Sequence, residues 1–193
     1  MVLGRVVVGS VVAALLGGCA AGASQVPTVT AAGRPTEAPA ATRTLDLAKA
    51  VDPCAVVPKS IPLGLGVYGP GQPHGGEAGT TRFCVWADRV EWPRISVGFS
   101  GNDPLAAAYQ DSSRPGADGT GLRWKLFEQI SVDGQPALVR AQRTDGTVLC
   151  EVVVGAGDGG GVVVAAGASG ANDTGGQCQT AVSVAEQVVT ALR

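Results

Sequence analysis

Hydrophobic and polar residues alternate with a period of two in several stretches of the chain, as in strands with one buried face. In 81–88, Cys84 and Trp86 share one side and Phe83 and Val85 the other. The same reasoning predicts strands over 94–100, 123–132, 137–143, 148–154 and 162–166. Consecutive strands joined by short turns pair as an antiparallel sheet, so we expect one antiparallel sheet of about six strands.

Three segments carry helix signals instead. Asp52-Pro53 and Asp103-Pro104 each place a capping carboxylate before a proline, which predicts helices that begin at these prolines. From Cys178 onward, apolar residues return at helical spacing on one face: Ala181, Val184, Ala185, Val188, Val189 and Leu192. Because the helices must cover the apolar face of the sheet, the predicted fold class is α+β.

Two glycine-rich stretches interrupt this pattern. The stretch 68–79 mixes glycine and proline and predicts a loop that holds His74, the single histidine of the chain. The run Gly155–Gly161 predicts a hairpin loop between the last two strands. It lacks the Gly-Lys-Ser/Thr of a phosphate loop, and Asp158 alone cannot build a calcium cage, so neither ligand is expected there.

The first apolar run, residues 6–18, follows Arg5 and ends in Leu16-Gly17-Gly18-Cys19. It is shorter than the roughly 20 residues that a membrane span needs, and its small residues before a cysteine match a lipobox. We therefore predict a lipoprotein signal peptide over 1–18, cleaved before a lipidated Cys19. Ordinary secretion fits the small residues but leaves the cysteine unexplained. The prediction places the protein on the extracytoplasmic face of the cell membrane, with Cys19 as its lipid anchor.

Residues 19–44 contain the lipidated cysteine and a stretch of Ala, Thr, Pro and Gly without hydrophobic periodicity. Such a composition predicts a disordered tether, with glycosylation of its threonines left open. Residues 45–193 then form a single α+β domain, a size at which one core can be buried.

Four cysteines remain after Cys19: Cys54, Cys84, Cys150 and Cys178. An even number in an exported chain predicts two disulfides. We favour Cys54 with Cys84 and Cys150 with Cys178, since each pair closes a loop of about 30 residues. The crossed pairings stay possible. A four-cysteine zinc site is disfavoured because no close Cys-x-x-Cys pair occurs, and we expect no metal.

Charge and candidate chemistry narrow the function further. The chain has a formal net charge of −2 and no run of like charges, which argues against nucleic acid as a partner. No nucleophile with a base is evident, so we expect no enzyme activity and no cofactor, with a hydrolase built on Asp88, Glu91 or Glu128 the weakest alternative.

A non-catalytic binding module remains, for an envelope lipid, a glycan or a small molecule. The alternative is a protein-interaction or assembly accessory of the cell envelope. Trp86, Trp92 and Trp124 are the candidate binding residues, and core packing is the competing interpretation of all three.

Several motifs occur in one order: the Cys19 lipobox, Asp52-Pro53-Cys54, Cys84-Val85-Trp86, Val132 to Ala137, and a final Cys178 helix. Together with the tether, this set resembles an uncharacterised actinobacterial lipoprotein family that includes mycobacterial Lpr-type envelope lipoproteins. The resemblance implies an envelope location, disulfides and a PsbP-like α+β sandwich. It implies no catalytic residue.

Overall fold

The computed structural model describes residues 33–64, 69–75, 81–87, 94–116, 119, 121–144, 146–169 and 174–193. Cys19 and the predicted signal peptide lie outside the described residues, as does Trp92. The helices are α1 (Pro53–Val56), α2 (Ser60–Gly64), α3 (Pro104–Gln110) and α4 (Thr174–Ala191). The strands are β1 (Gln72–His74), β2 (Arg82–Ala87), β3 (Arg94–Ser100), β4 (Leu126–Val132), β5 (Gln135–Thr144), β6 (Thr147–Gly157) and β7 (Gly160–Ser169).

All seven strands belong to one sheet, in the order β1-β2-β3-β7-β6-β5-β4. Every neighbouring pair is antiparallel. The predicted α+β class with an antiparallel sheet is therefore confirmed. The strand count exceeds the expected six because β1 lies inside the stretch that we predict as a loop. Its three residues are all exposed, so no apolar alternation marks it in the sequence.

The first face of the sheet carries the main core. Alternate residues of β2, β3, β5, β6 and β7 point to it, and α4 covers it with the buried side chains of Ala181, Val184, Ala185, Val188 and Val189. This is the apolar face predicted from the helical spacing, although α4 begins at Thr174, four residues before Cys178. At roughly 1.5–3 kcal/mol for each buried valine, this helix contributes a large share of the core's stability.

Among the described residues, a smaller core lies at one end of the second face of the sheet. There, α3 packs Leu105, Ala108 and Tyr109 against Leu138 and Val153 of the sheet, and Trp124 and Phe127 complete this smaller core. The caps predicted for α1 and α3 are present, because Asp52 Oδ1 accepts from Cys54 N at 2.9 Å and Asp103 Oδ1 accepts from Ala106 N at 2.9 Å.

Two disulfides join helices to the sheet. Cys54 of α1 bonds to Cys84 of β2, and Cys150 of β6 bonds to Cys178 of α4, with Cα–Cα distances of 5.0 and 5.1 Å. This is the pairing that the spacing favours. Both bonds lie on the first face, so each fixes one helix over the main core.

The described part of the N-terminal stretch, residues 33–44, differs from the predicted tether. Arg34 is buried and donates to the backbone oxygens of Ser112 and Trp124 at 3.0 and 2.7 Å. Further along, Thr42 Oγ1 donates to Gly134 O at 2.6 Å and Gln135 Nε2 donates to Arg43 O at 2.8 Å. Hydrogen bonds at both ends therefore hold this segment on the domain, where composition alone predicts disorder.

Candidate binding site

The tryptophans predicted as binding residues are core residues wherever the structure describes them. Trp86 is 5 % exposed and faces the main core, while Trp124 is 1 % exposed in the smaller core. Trp86 and the disulfide sulfur of Cys84 both lie directly beneath Gly71, where an added Cβ would approach within 2.7 Å of the indole. This burial favours core packing, the competing interpretation, for both Trp86 and Trp124.

Helix α3 forms a ridge on the second face, with a depression on each side. We call the first the hairpin cleft and define it by the segment 36–41, the N-terminal part of α3 and the β6–β7 turn around Asp158. We call the second the helix groove and define it by the other side of α3 and the neighbouring sheet residues Val153 and Val163. Asp103 lines both.

The hairpin cleft has a volume of about 580 Å³. Glu37, Asp103 and Asp158 contribute carboxylates, Gln110 an amide and Thr36 a hydroxyl, while among the described residues that line it there is no lysine, arginine or histidine. The remaining walls are small side chains and glycine backbone. The cleft therefore offers mainly hydrogen-bond acceptors and negative charge.

Glycines allow the elements around this cleft to approach closely. A Cβ at Gly155 would lie 3.1 Å from Leu105 of α3, and one at Gly161 would lie 2.5 Å from Pro104. The turn itself holds Asp158 at a φ of 49°, a left-handed conformation that aspartate tolerates better than most residues. The run Gly155–Gly161 is thus mostly strand with a two-residue turn, rather than the longer hairpin loop that we predict.

The helix groove, about 400 Å³, is apolar along its floor and charged at one end. Val153 and Val163 form the floor, and Ala107 and Ala108 form the wall on α3. Asp111, Arg114 and Arg140 close the end nearest Trp124.

Four arginines surround Trp124, and we call Arg34, Arg114, Arg123 and Arg140 the arginine cluster. Arg140 Cζ lies 4.0 Å and Arg123 Cζ 5.0 Å from the centre of the indole, at cation–π distances. Arg34 binds the backbone oxygen of Trp124 and lies over the ring of Phe127 at 5.1 Å. Burial lowers the pKa of Arg34 from its ordinary value.

Two carboxylates partly neutralise the arginine cluster. Asp111 Oδ1 lies 2.5 Å from Arg114 Nε, and its Oδ2 accepts from Trp124 Nε1 at 2.8 Å. Glu151 Oε2 accepts from both Nε and Nη2 of Arg140, at 2.8 and 2.7 Å. Four arginines against two carboxylates leave this region positively charged, in contrast to the hairpin cleft on the other side of α3.

The sequence carries little signal for either depression. The arginines are spread from position 34 to position 140, and only the fold gathers them around Trp124. His74 is exposed on β1. Within the described residues, no group of three or more histidine, cysteine, aspartate or glutamate side chains has the arrangement of a metal site. None of the helices in the described ranges is long and apolar enough to cross a membrane.

These features define a disulfide-linked α+β domain, built on one seven-stranded antiparallel sheet with two shallow clefts beside a short helix. The chain belongs to a family of proteins of unknown function, DUF3558, whose model matches residues 14–191. The match takes in Cys19 as well as the whole domain, and it agrees with the predicted resemblance to an uncharacterised family. A search of curated protein sequences found no match to the chain.

Proposed function

We propose that this chain is an actinobacterial, Lpr-type envelope lipoprotein, anchored by lipid on Cys19 to the extracytoplasmic face of the cell membrane. The lipobox Leu16-Gly17-Gly18-Cys19 after a short apolar run supports the proposal.

The anchor is tested by membrane fractionation of the Cys19→Ala chain in the native host. We expect the variant to leave the membrane fraction or to stay unprocessed, because it has no thiol to acylate. Ser24→Ala, a small change five residues away, should fractionate as the wild type does. Normal processing and unchanged membrane association of Cys19→Ala would overturn the anchor.

We further propose that the domain is a non-catalytic binding module whose ligand is a glycan of the envelope. The observation that carries this proposal is the hairpin cleft, because its volume lies within the range of ligand pockets and its lining is rich in acceptors. Sugar hydroxyls can donate hydrogen bonds to the carboxylates of Glu37, Asp103 and Asp158. An acyl chain would have to desolvate these carboxylates without pairing them, which disfavours a lipid in this cleft.

Native mass spectrometry of the protein purified from its own host tests for a co-purifying glycan. Glu37→Gln with Asp158→Asn removes two charged acceptors from exposed positions of the cleft, and we expect at least a tenfold loss of bound glycan. Glu128→Gln, an exposed carboxylate on β4, is the matched control and should retain binding. An empty protein, or a glycan whose binding ignores the cleft substitutions, would contradict the proposal.

A protein-interaction role is the second candidate, and one observation favours it. Phe83, Val85 and Ser96 of β2 and β3 stay half-buried on the second face, beyond the end that α3 covers. A protein partner on this surface would be lost with Val85→Glu and unaffected by Glu37→Gln. The glycan proposal predicts the reverse.

The absence of catalysis is part of the same proposal and has its own test. We expect the purified protein to hydrolyse no generic ester, peptide or glycoside substrate. A turnover that disappears in His74→Ala, or in the cleft variant Glu37→Gln with Asp158→Asn, would show an enzyme instead.

A further inference from the structure

The first residues that the structure describes lie at the arginine cluster. Arg34 is held there by its bonds to Ser112 O and Trp124 O, and Gly33 is the first described residue. The stretch from Cys19 to Gly33 spans at most about 50 Å when fully extended. A lipid anchor at Cys19 therefore keeps the Trp124 side of the domain within reach of the membrane surface.

On this side Arg114 and Lys125 are exposed, whereas the carboxylates that pair with the arginine cluster are shielded. The side chain of Arg114 is 62 % exposed, but that of its partner Asp111 is only 14 % exposed. Glu151 is similarly shielded, at 18 %, and is occupied by Arg140. Lys125, next to Trp124, adds another exposed cation. The side chains that are exposed to solvent at this place, Arg114 and Lys125, are therefore both positively charged.

The backbone holds these cations side by side. Arg123 N donates to Arg114 O at 2.9 Å, and Pro115 and Leu122 form a β-bridge directly beyond this pair. Lys125 N donates to Ala141 O of β5 at 2.8 Å, and this hydrogen bond attaches Lys125 to the sheet. Arg114, Arg123 and Lys125 therefore present their charges from a fixed frame rather than from a free loop.

The positive surface contrasts with the net charge of the whole chain. The chain has a formal net charge of −2, so a positive surface at one side implies an excess of negative charge elsewhere, as at the hairpin cleft. An anionic membrane would attract the former and repel the latter. A tethered domain with this charge distribution therefore turns its positive surface towards the membrane. The tether keeps the domain at a high local concentration near the lipid, so that individually weak contacts suffice.

We propose that Arg114, Arg123 and Lys125 form a membrane-facing surface that binds the phosphates of anionic lipid headgroups, and that this contact turns the hairpin cleft away from the bilayer. The inference rests on the proposed anchor at Cys19. It adds an orientation and a lipid preference that the anchor alone does not provide.

The test uses the purified full chain in vesicles of phosphatidylcholine, with or without 30 % phosphatidylglycerol. Hydrogen exchange is followed for the backbone of residues 122–127 and, as an internal reference, for residues 186–192, at the C-terminal end of α4 and the residue after it. With anionic lipid we expect at least fivefold slower exchange at 122–127, no change at 186–192, and loss of the effect in 0.5 M salt.

Charge substitutions sharpen the test. Arg114→Gln with Lys125→Gln should abolish the slowing, since each basic residue strengthens attraction to an anionic surface about fivefold. Lys49→Gln with Lys59→Gln removes the same amount of charge from exposed positions elsewhere, and this variant should keep the slowed exchange at residues 122–127. Equal exchange in both vesicle types, or equal loss in both double variants, would overturn the proposal.

Two further measurements distinguish a failure of the proposed anchor from a failure of the proposed lipid-binding surface. Flotation with pure phosphatidylcholine reports the anchor, whereas the difference between the vesicle types reports the surface, so either can fail without the other. Inorganic phosphate at 10 mM in the absence of vesicles should leave residues 122–127 unchanged. Protection by phosphate alone would indicate a site for a soluble anion and would overturn the lipid assignment.

Discussion

Arg34 donates from Nη2 to the backbone oxygen of Trp124 at 2.7 Å, across 90 positions of sequence. Its other terminal nitrogen donates to Ser112 O at 3.0 Å, so one guanidinium bridges the segment after α3 and the segment before β4. Hydrogen bonds from a charged, buried donor are among the stronger ones in proteins. The residues that lead into the domain are therefore part of its structure.

Replacing Arg34 should destabilise the domain. Arg34→Ala leaves the oxygens of Ser112 and Trp124 without their donor, and we expect the free energy of unfolding to fall by about 2–3 kcal/mol. Arg43→Ala is the matched control, because Arg43 is exposed and donates to Asp133 O at 3.0 Å. We expect that change to cost less than about 1 kcal/mol. Urea denaturation measures both, and equal effects would show that burial at Arg34 contributes nothing.

The two disulfides should each carry a large part of the stability. Each loop of about 30 residues predicts roughly 2–5 kcal/mol lost when both cysteines of a pair become alanine. We expect a similar loss of stability for the Cys54–Cys84 pair and for the Cys150–Cys178 pair, since the two loops are similar in length. Peptide mapping without reduction checks the pairing directly. A linked peptide that contains Cys84 and Cys150 would contradict it.

The fold class was predictable because its signals are local. Alternation in β2 and β3, the caps Asp52 and Asp103, and the helical spacing of α4 each act within a few residues. Strand β1 was not predictable, because all three of its residues are exposed and no apolar alternation marks it. The prediction of a disordered tether fails at residues 33–44 for a different reason: the hydrogen-bond partners of Arg34 and Thr42 lie about 90 positions away in the sequence.

The candidate site was less accessible to sequence reasoning than the fold. The sequence leaves the tryptophans open between ligand binding and core packing, and in the structure Trp86 and Trp124 provide volume that a core of valine and alanine lacks. The run Gly155–Gly161 resembled a loop, whereas Gly160 and Gly161 lie in β7, close to Leu47 and Pro104. A glycine can therefore mark the close approach of a neighbouring element as well as a turn.

Gly71 offers a test of that packing. A Cβ at this position would approach within 2.7 Å of Trp86 and even closer to Cys84 Sγ, so Gly71→Ala should lower the free energy of unfolding by about 1–3 kcal/mol. At Gly101 a Cβ meets nothing within 4 Å, and Gly101→Ala should be neutral or stabilise by up to about 1 kcal/mol. Thermal or urea unfolding compares the pair. Similar effects of the two substitutions would show that the space above the disulfide is not filled.

The last prediction concerns Tyr109, whose ring packs edge-on against Phe127 with centroids 5.6 Å apart. The side chain is fully buried, and its hydroxyl has no hydrogen bond of normal geometry to any residue that the structure describes. Burial raises the pKa of Tyr109, and the nearby Gln129 side chain offsets only part of this. Near pH 7, Tyr109→Phe should therefore be neutral or stabilise by up to about 1 kcal/mol, because it removes an unpaired buried hydroxyl.

The pH dependence of this variant carries the sharper expectation. With the pKa higher in the folded state, the unfolded chain loses the Tyr109 proton first as the pH rises through about 10. The neutral hydroxyl thus stabilises the fold fully below that pH, and the wild type then loses up to about 1.4 kcal/mol per pH unit from this one group. Tyr109→Phe lacks this loss, so its advantage should widen between pH 9 and pH 11 in urea denaturation. A constant difference across that range would mean that the hydroxyl ionises equally in the folded and unfolded states, and that the buried ring is reached by water.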